Sequence, residues 1–290
     1  MQIAVLSDIH SNFPALEKCV SYCLDRQIRT FLFLGDYLGE LAYPQKTMEL
    51  LFSLNEIYHC RFIRGNKEDY WLNYKAGGET GWKEFDSTTG SLFYTYHHLT
   101  TKDMAFFERL PLRTEAIFEN LPHITLCHGS PRKTNEKLLP NSPETFRIME
   151  QETNAYILCG HTHIQGSIVH GGKQVYNPGS VGLPMESGGK AQFLILHGSA
   201  NAWEPEWISL DYDTEQAAED LSRSGLSEKA PCWCRVTEQI LRTGKHSHGA
   251  VLSRAMELCR QAEGECIWPQ IPEKYWEEAV KQTFCLYTAD

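Results

Sequence analysis

Five short apolar runs in this 290-residue chain end in the same kinds of residue, and that repetition constrains the fold more than any one motif does. Ile3-Ala4-Val5-Leu6 leads to Asp8-Ile9-His10, and Phe31-Leu32-Phe33-Leu34 leads to Gly35-Asp36. Residues 57–64 lead to Gly65-Asn66, 123–126 to Cys127-His128, and 156–159 to Gly160-His161-Thr162-His163. A buried strand that stops at the mouth of a sheet delivers its next side chains to one place, and residues at i and i+2 point to the same side. Asp8 pairs with His10 in this way, and His161 with His163. Oxygen and imidazole donors arriving from five strand ends read as a metal site.

The stretches between these runs alternate strand with helix. Ser11 or Asn12 can cap the first helix, Pro14 suits its first turn, and Leu16, Cys19, Val20, Cys23 and Leu24 form one apolar stripe. Pro44 opens a second helix with Met48, Leu51 and Leu54 inward, and residues 57–64 form the third strand. Residues 70–112 turn helical and aromatic, broken by Gly77-Gly78 and Gly81, and are expected as an insertion walling the site. Three consecutive residues, Tyr96-His97-His98, cannot all face one core, so they are candidate substrate contacts. Residues 117–119 and 123–126 read as a hairpin or two adjacent strands, and Pro143 starts a further helix. Residues 168–176 and 193–197 read as closing strands joined by the turn Asn177-Pro178-Gly179-Ser180, with a last strand over 207–210.

After Asp211 the pattern shifts to short amphipathic helices near 215–222, 237–242, 250–262 and 273–283. The expected organisation is a catalytic domain over 1–211 and a helical extension over 212–290. Cys232, Cys234, His246 and His248 make two i, i+2 pairs in that extension, but their spacing is not one of the usual structural zinc patterns. The extension and the aromatic insertion are both candidate surfaces for a homo-oligomer.

Asp and Glu exceed Lys and Arg by 37 to 27, a formal charge of -10 that argues against a nonspecific grip on long nucleic acid. Ten scattered cysteines, several on apolar faces, point to a reducing cytoplasm. No basic segment precedes the first apolar run, and no run approaches the length needed to span a bilayer, so no membrane partner is expected.

The ordered set Asp8-Ile9-His10, Gly35-Asp36, Gly65-Asn66-Lys67, Cys127-His128-Gly129 and Gly160-His161-Thr162-His163 resembles the calcineurin-like metallophosphoesterases. Their pattern is D-x-H, G-D, G-N followed by H or D, a lone H, and G-H-x-H. The resemblance implies a four-layer α/β/β/α sandwich of two mixed sheets. It implies one metal held by Asp8, His10 and His163, a second held by Asn66, His128 and His161, and Asp36 bridging them. The donor set has imidazole, carboxylate and amide oxygen but no thiolate, which suits Mn²⁺, Fe²⁺ or Zn²⁺. Two such ions about 3.5–4 Å apart share a hydroxide that attacks phosphorus in line.

Lys67 stands where the family often has His or Asp, and a lysine is a poor proton donor near neutral pH, with an ordinary pKa of about 10.4. That departure tilts the expectation from phosphomonoesters towards small phosphodiesters or phosphoanhydrides, with Asp36, Asn66, His128 and Lys67 as the catalytic group. Asn12, Arg64, Arg132 and Lys133 are further candidates for substrate phosphate or nucleotide. The phrase His128-Gly129-Ser130-Pro131 is similar to bacterial members proposed to cleave dinucleoside polyphosphates, which makes the expected substrate nucleotide-like. The alternatives are a phosphomonoesterase, a protein phosphatase, or a catalytically silent scaffold like the member of this family in the retromer coat.

Overall fold

Strand β1 (Gln2–Leu6), helix α1 (Phe13–Asp25), strand β2 (Thr30–Phe33), helix α2 (Pro44–Ile57) and strand β3 (His59–Phe62) form two successive βαβ units with parallel strands. Three helices follow, α3 (Asn66–Ala76), α4 (Gly90–His98) and α5 (Thr101–Arg109). The chain then runs through β4 (Arg113–Ala116), β5 (Ile124–Cys127), α6 (Pro143–Gln151), β6 (Tyr156–Leu158), β7 (Gly166–His170) and β8 (Lys173–Asn177). The long hairpin of β9 (Ala191–Ser199) and β10 (Ala202–Leu210) precedes five helices: α7 (Thr214–Arg223), α8 (Leu226–Lys229), α9 (Pro231–Thr243), α10 (His248–Glu263) and α11 (Glu273–Cys285). This computed structural model describes residues 1–199 and 201–285.

The strands form two mixed sheets, in the orders β10-β9-β1-β2-β3 and β4-β5-β6-β8-β7. Alternation along the strands decides the layers. Ile3 and Val5 of β1, with Leu32, Leu194 and Leu196, pack against Ile124, Leu126, Leu158 and Tyr176 between the sheets. Ala4 and Leu6, with Phe31 and Phe33, face the other way onto Leu16, Cys19, Met48 and Leu51 of α1 and α2. The outer face of the second sheet, through Ile157 and Val175, receives Ile148 and Met149 of α6. The result is the four-layer α/β/β/α sandwich, and all the ligand-bearing strand ends emerge along one edge of it.

Several element boundaries differ from the sequence reading. Ile57 is the last residue of α2 and 71% exposed, and the strand starts only at His59 because Tyr58 takes the extended backbone that ends the helix. Residues 168–176 are no single strand: Gly171 and Gly172, at φ +55° and +76°, make a two-residue hairpin turn between β7 and β8, with His170 paired to Lys173. Residues 117–119 lie beyond β4, and Ile117 is exposed. The turn Asn177–Ser180 joins β8 in the second sheet to the segment leading into β9 in the first.

The C-terminal helices have their own core, including Leu221, Val236, Leu241, Val251, Trp276 and Val280. That core also takes in Leu41 and Leu183, from loops of the sandwich. Helix α9 starts at Pro231, six residues earlier than the apolar periodicity indicates, with the proline in its first turn. The segment preceding α4 is tied to these helices: the Ser87 backbone N–H donates to Glu273 at 2.9 Å, and the Trp276 indole N–H donates to Thr88 at 2.8 Å. The nine cysteines whose side chains are described are all free. No helix among the described residues is long and apolar enough to cross a membrane.

Candidate metal centre

Five of the seven predicted ligand positions have a backbone that residues with side chains seldom adopt. Asp8, His10, Asp36, His161 and His163 have φ of +54°, +51°, +53°, +66° and +60°. Left-handed conformations are uncommon outside glycine, and strain of this kind collects at functional sites. Here it turns the chain sharply off each strand end and directs the side chain into the edge of the sandwich. Two glycines let the loops approach. A methyl group on Gly65 would lie 2.2 Å from Asp36 Oδ1, and one on Gly160 would lie 2.0 Å from Ser7 Oγ and 2.5 Å from Asp8 Oδ2.

The side chains converge closely. His163 Nε2 lies 3.2 Å from Asp8 Oδ1 and 3.1 Å from His10 Nε2, and His10 Nε2 lies 3.9 Å from both Asp8 Oδ1 and Asp36 Oδ2. His128 Nε2 is 3.1 Å from Asn66 Oδ1, 3.4 Å from Asp36 Oδ1 and 3.8 Å from Asp8 Oδ1. His161 sits against the His128 ring, with centroids 5.3 Å apart. Asp8, His10 and His163 form one group able to hold a metal ion, and Asp8, Asp36 and His128 form another.

The surrounding hydrogen bonds orient these donors. His128 Nδ1 lies 2.7 Å from the Leu34 carbonyl, and His163 Nδ1 lies 2.8 Å from the Leu183 carbonyl. A carbonyl can only accept, so each Nδ1 carries the proton and each Nε2 points into the centre. Asp8 Oδ2 accepts from Ser7 Oγ at 2.6 Å and from the His161 backbone N–H at 3.0 Å, and Asp36 Oδ1 accepts from the Lys67 backbone N–H at 2.8 Å. Glu68 braces the same loops, accepting the backbone N–H groups of Asp36, Tyr37 and Gly65.

Whether a divalent cation fits is decided by what is left over. Asp8 Oδ1 and His10 Nδ1 are buried without a hydrogen-bond partner, and Asp8 Oδ1 faces three imidazoles. Burial penalises a charged Asp8 or Asp36, but His163 and His128 overcome it for Asp8, and His128 for Asp36, holding both carboxyls below their ordinary range. Burial likewise opposes a proton on His128, yet Asp36 and Asp8 push its pKa up to about 10. His10 is held down at about 3 by burial, and His161 at about 4 by burial and by His128. Two buried carboxylates therefore demand positive charge in their midst, which without metal a proton on His128 supplies while His10 and His161 stay neutral. A divalent cation meets that demand.

The centre opens into a cavity of about 260 Å³, lined by His10, Asp36, Asn66, His161 and His163. Lys67 lines it too, buried and paired with Glu40. Further lining comes from beyond the strand ends: Tyr70, Leu183, Met185, Trp233, Ile240 and His248. Glu40 and Trp233 were not marked by the sequence, since a lone acid after a Gly-Asp loop and a residue at an amphipathic-helix position carry no distinguishing pattern, and His248 was marked only within the Cys/His pairs of the helical extension.

Most of the candidate substrate contacts lie elsewhere. Tyr96 donates to Glu79 at 2.7 Å and meets the Tyr74 ring edge-on, while His97 and His98 are exposed and pack on Phe93 and Tyr94 of their own helix, and none of the three lines the cavity. Asn12 is a fully buried cap, accepting the Ala15 N–H and donating to the Gly182 carbonyl and Tyr212 hydroxyl. Arg64 pairs with Asp69 at 2.9 Å. Arg132 is held by Glu136 and Glu144 and lines, with Lys133, a separate recess that meets the cavity only at Asn66 and Tyr70. Cys232 and Cys234 are buried in the helical core, His248 stacks on Trp233, and His246 lies against Phe284, so these four are not gathered round one point.

Residues 1–201 match the model of the calcineurin-like phosphoesterase superfamily domain. The chain belongs to this superfamily. Membership makes it a metal-dependent phosphoesterase, and the Asp/His cluster is its candidate divalent-metal site. An uncharacterised protein of Methanocaldococcus jannaschii is 28% identical over 247 residues, covering 78% of this chain and 94% of that protein. Two solved structures share the fold. A hypothetical protein from Pyrococcus horikoshii has a TM-score of 0.71 at 21% identity, covering 85% of this chain and 99% of its own. A metallophosphoesterase from Sphaerobacter thermophilus has a TM-score of 0.68 at 21% identity, covering 84% and 99%. All three extend beyond the 201 residues of the family match, so this phosphoesterase shares with them part of its C-terminal helical region as well.

Proposed function

We propose that this phosphoesterase uses two divalent ions, Mn, Fe or Zn, to hydrolyse a small phosphodiester or nucleotide phosphoanhydride, a dinucleoside polyphosphate being one such substrate. Asp8, His10 and His163 would hold one ion, Asn66, His128 and His161 the other, with Asp36 between them. When bound, the ions supply a nucleophile at neutral pH and positive charge for the phosphoryl oxygens.

The observation that carries the choice of substrate is Lys67. Its ammonium is buried, lines the cavity and is paired with Glu40. Burial alone would ease proton loss, but Glu40 and Asp36 outweigh it and push its pKa above the ordinary lysine value. Lys67 can therefore bind phosphoryl oxygens as a cation but gives up a proton poorly. A leaving group that departs without protonation fits such a site: an aryl alcohol or a nucleotide phosphate rather than an alkyl alcohol. The wall of Trp233, Ile240, Leu183 and Met185 favours a small substrate over a phosphorylated protein loop, which needs an open groove.

The test is hydrolysis by chelator-stripped protein resupplied with Mn²⁺, on an aryl phosphodiester, an alkyl phosphomonoester, a cyclic nucleotide and a dinucleoside tetraphosphate. The diester or the tetraphosphate is turned over fastest. Preference for the monoester would refute the role given to Lys67, and no turnover of any substrate would refute the reading as a whole.

A further inference from the structure

Glu40 is a buried acid that no strand end delivers. Its backbone sits at φ +64°, directly after Gly39 at +97°, and this left-handed pair turns its carboxylate towards the cavity. Three other segments meet on it. The Lys67 ammonium of α3 pairs with Oε1, and the Trp233 indole N–H of α9 donates to Oε2. The Ser91 hydroxyl of α4 reaches Oε2 at 3.4 Å and accepts the Glu40 backbone N–H at 3.2 Å. Lys67 Nζ lies 5.8 Å from the Tyr70 ring centroid and 5.7 Å from that of Trp233.

A lysine head group is a flexible point charge with three donors. Glu40 accepts one of these and fixes the ammonium in the cavity that Asp36 and Asn66 also line, leaving donors for an oxyanion there. The same carboxylate couples that ammonium to the C-terminal helices through Trp233.

We propose that Glu40 is a positioning residue: it holds Lys67 where a phosphoryl oxygen of the substrate binds and, through Trp233, sets the C-terminal helices as part of the active-site wall. The proposal rests on the phosphoesterase reading for its chemistry and goes beyond it in assigning the helical region a share in substrate binding.

The test is a double-mutant cycle on the Mn²⁺-loaded full chain, reading the affinity for inorganic phosphate by titration calorimetry alongside metal content and melting temperature. Loss of a charge-assisted hydrogen bond in Lys67→Met should weaken phosphate about 10-fold or more. Glu40→Gln should weaken it by a smaller factor, about 3- to 10-fold, and add nothing in the Lys67→Met background. Equal losses from Glu40→Gln in both backgrounds would overturn the proposal. Should Lys67→Met fail to fold with Glu40 left unpaired, Trp233→Phe supplies a second cycle, since it keeps the ring and removes only the N–H. It should cost about 3-fold in the wild type and nothing beside Glu40→Gln, and independent effects would again overturn the proposal. In hydrolysis, Glu40→Gln should lower kcat/KM with two metals retained, whereas a loss that follows falling metal content would make Glu40 a structural residue only. Phosphate binding needs no turnover, so a protein inactive on every ester would refute the functional reading while this cycle still decides the role of Glu40.

Discussion

The strand-end loops of the sandwich and the C-terminal helices line the same cavity, but they reach it by different physics. Each loop residue is placed by the strand before it, with an i, i+2 spacing for Asp8 and His10 and for His161 and His163 and close approach at Gly65 and Gly160, so its position is local in sequence. Trp233 and His248 are placed by the packing of α9 and α10 around Trp276 and against the loops at Leu41 and Leu183. Chemistry that needs fixed ligand geometry is carried by the local device. The wall that shapes the substrate is carried by tertiary packing, which can change while the metal centre stays the same.

The first way to break this division is to remove a ligand. Asp36→Asn or His128→Ala should lower kcat by at least about a thousandfold while the helical core keeps its melting behaviour. Unfolding of the C-terminal helices in either variant would contradict the separation. The converse change is Trp276→Ala, which empties a fully buried site in the helical core. It should destabilise the protein by about 3–5 kcal/mol in chemical denaturation while metal bound per folded chain is unchanged. A smaller effect on stability, but a direct one on metal, is expected from Gly160→Ala, whose methyl group would collide with Ser7 and Asp8. Overpacking there should cost about 1–3 kcal/mol and lower metal content, measured by elemental analysis.

The sign of the pH dependence sharpens the picture of the ligand side. In the metal-free protein His128 is protonated up to about pH 10, whereas a ligand histidine must be neutral, so metal binding displaces that proton. Affinity for Mn²⁺ should therefore fall about tenfold for each unit from pH 8 to 6, with proton release seen by calorimetry in buffers of different ionisation enthalpy. A flat profile would mean that His128 is not a ligand. The smallest effect is expected at Tyr96→Phe, which removes an exposed bond to Glu79 away from the cavity. Its kcat/KM should match the wild type, and a large loss would show that the insertion reaches the substrate after all.

The order of layers was legible through the family resemblance, and the convergence of the seven candidate ligands was legible because each stands immediately beyond a strand end. The hairpin at Gly171-Gly172 was missed although its turn residues were visible, because apolar Ile168 and Val175 sit on both sides of it and read as one continuous strand. Tyr96, His97 and His98 misled for the opposite reason. Adjacent residues on a helix face different ways, but one exposed direction can be any surface, and here it is not the one that lines the cavity. Glu40 had no sequence signal at all: its partners stand 27, 51 and 193 residues away, at Lys67, Ser91 and Trp233.

The measurement closest to the central claim is the number of Mn²⁺ ions bound per chain after reconstitution, in the wild type and in Asp36→Asn. Two ions per chain, falling to one or fewer when the bridging carboxylate is lost, is the result predicted. One ion in the wild type, or two ions undisturbed by Asp36→Asn, would contradict a dinuclear centre built around Asp36.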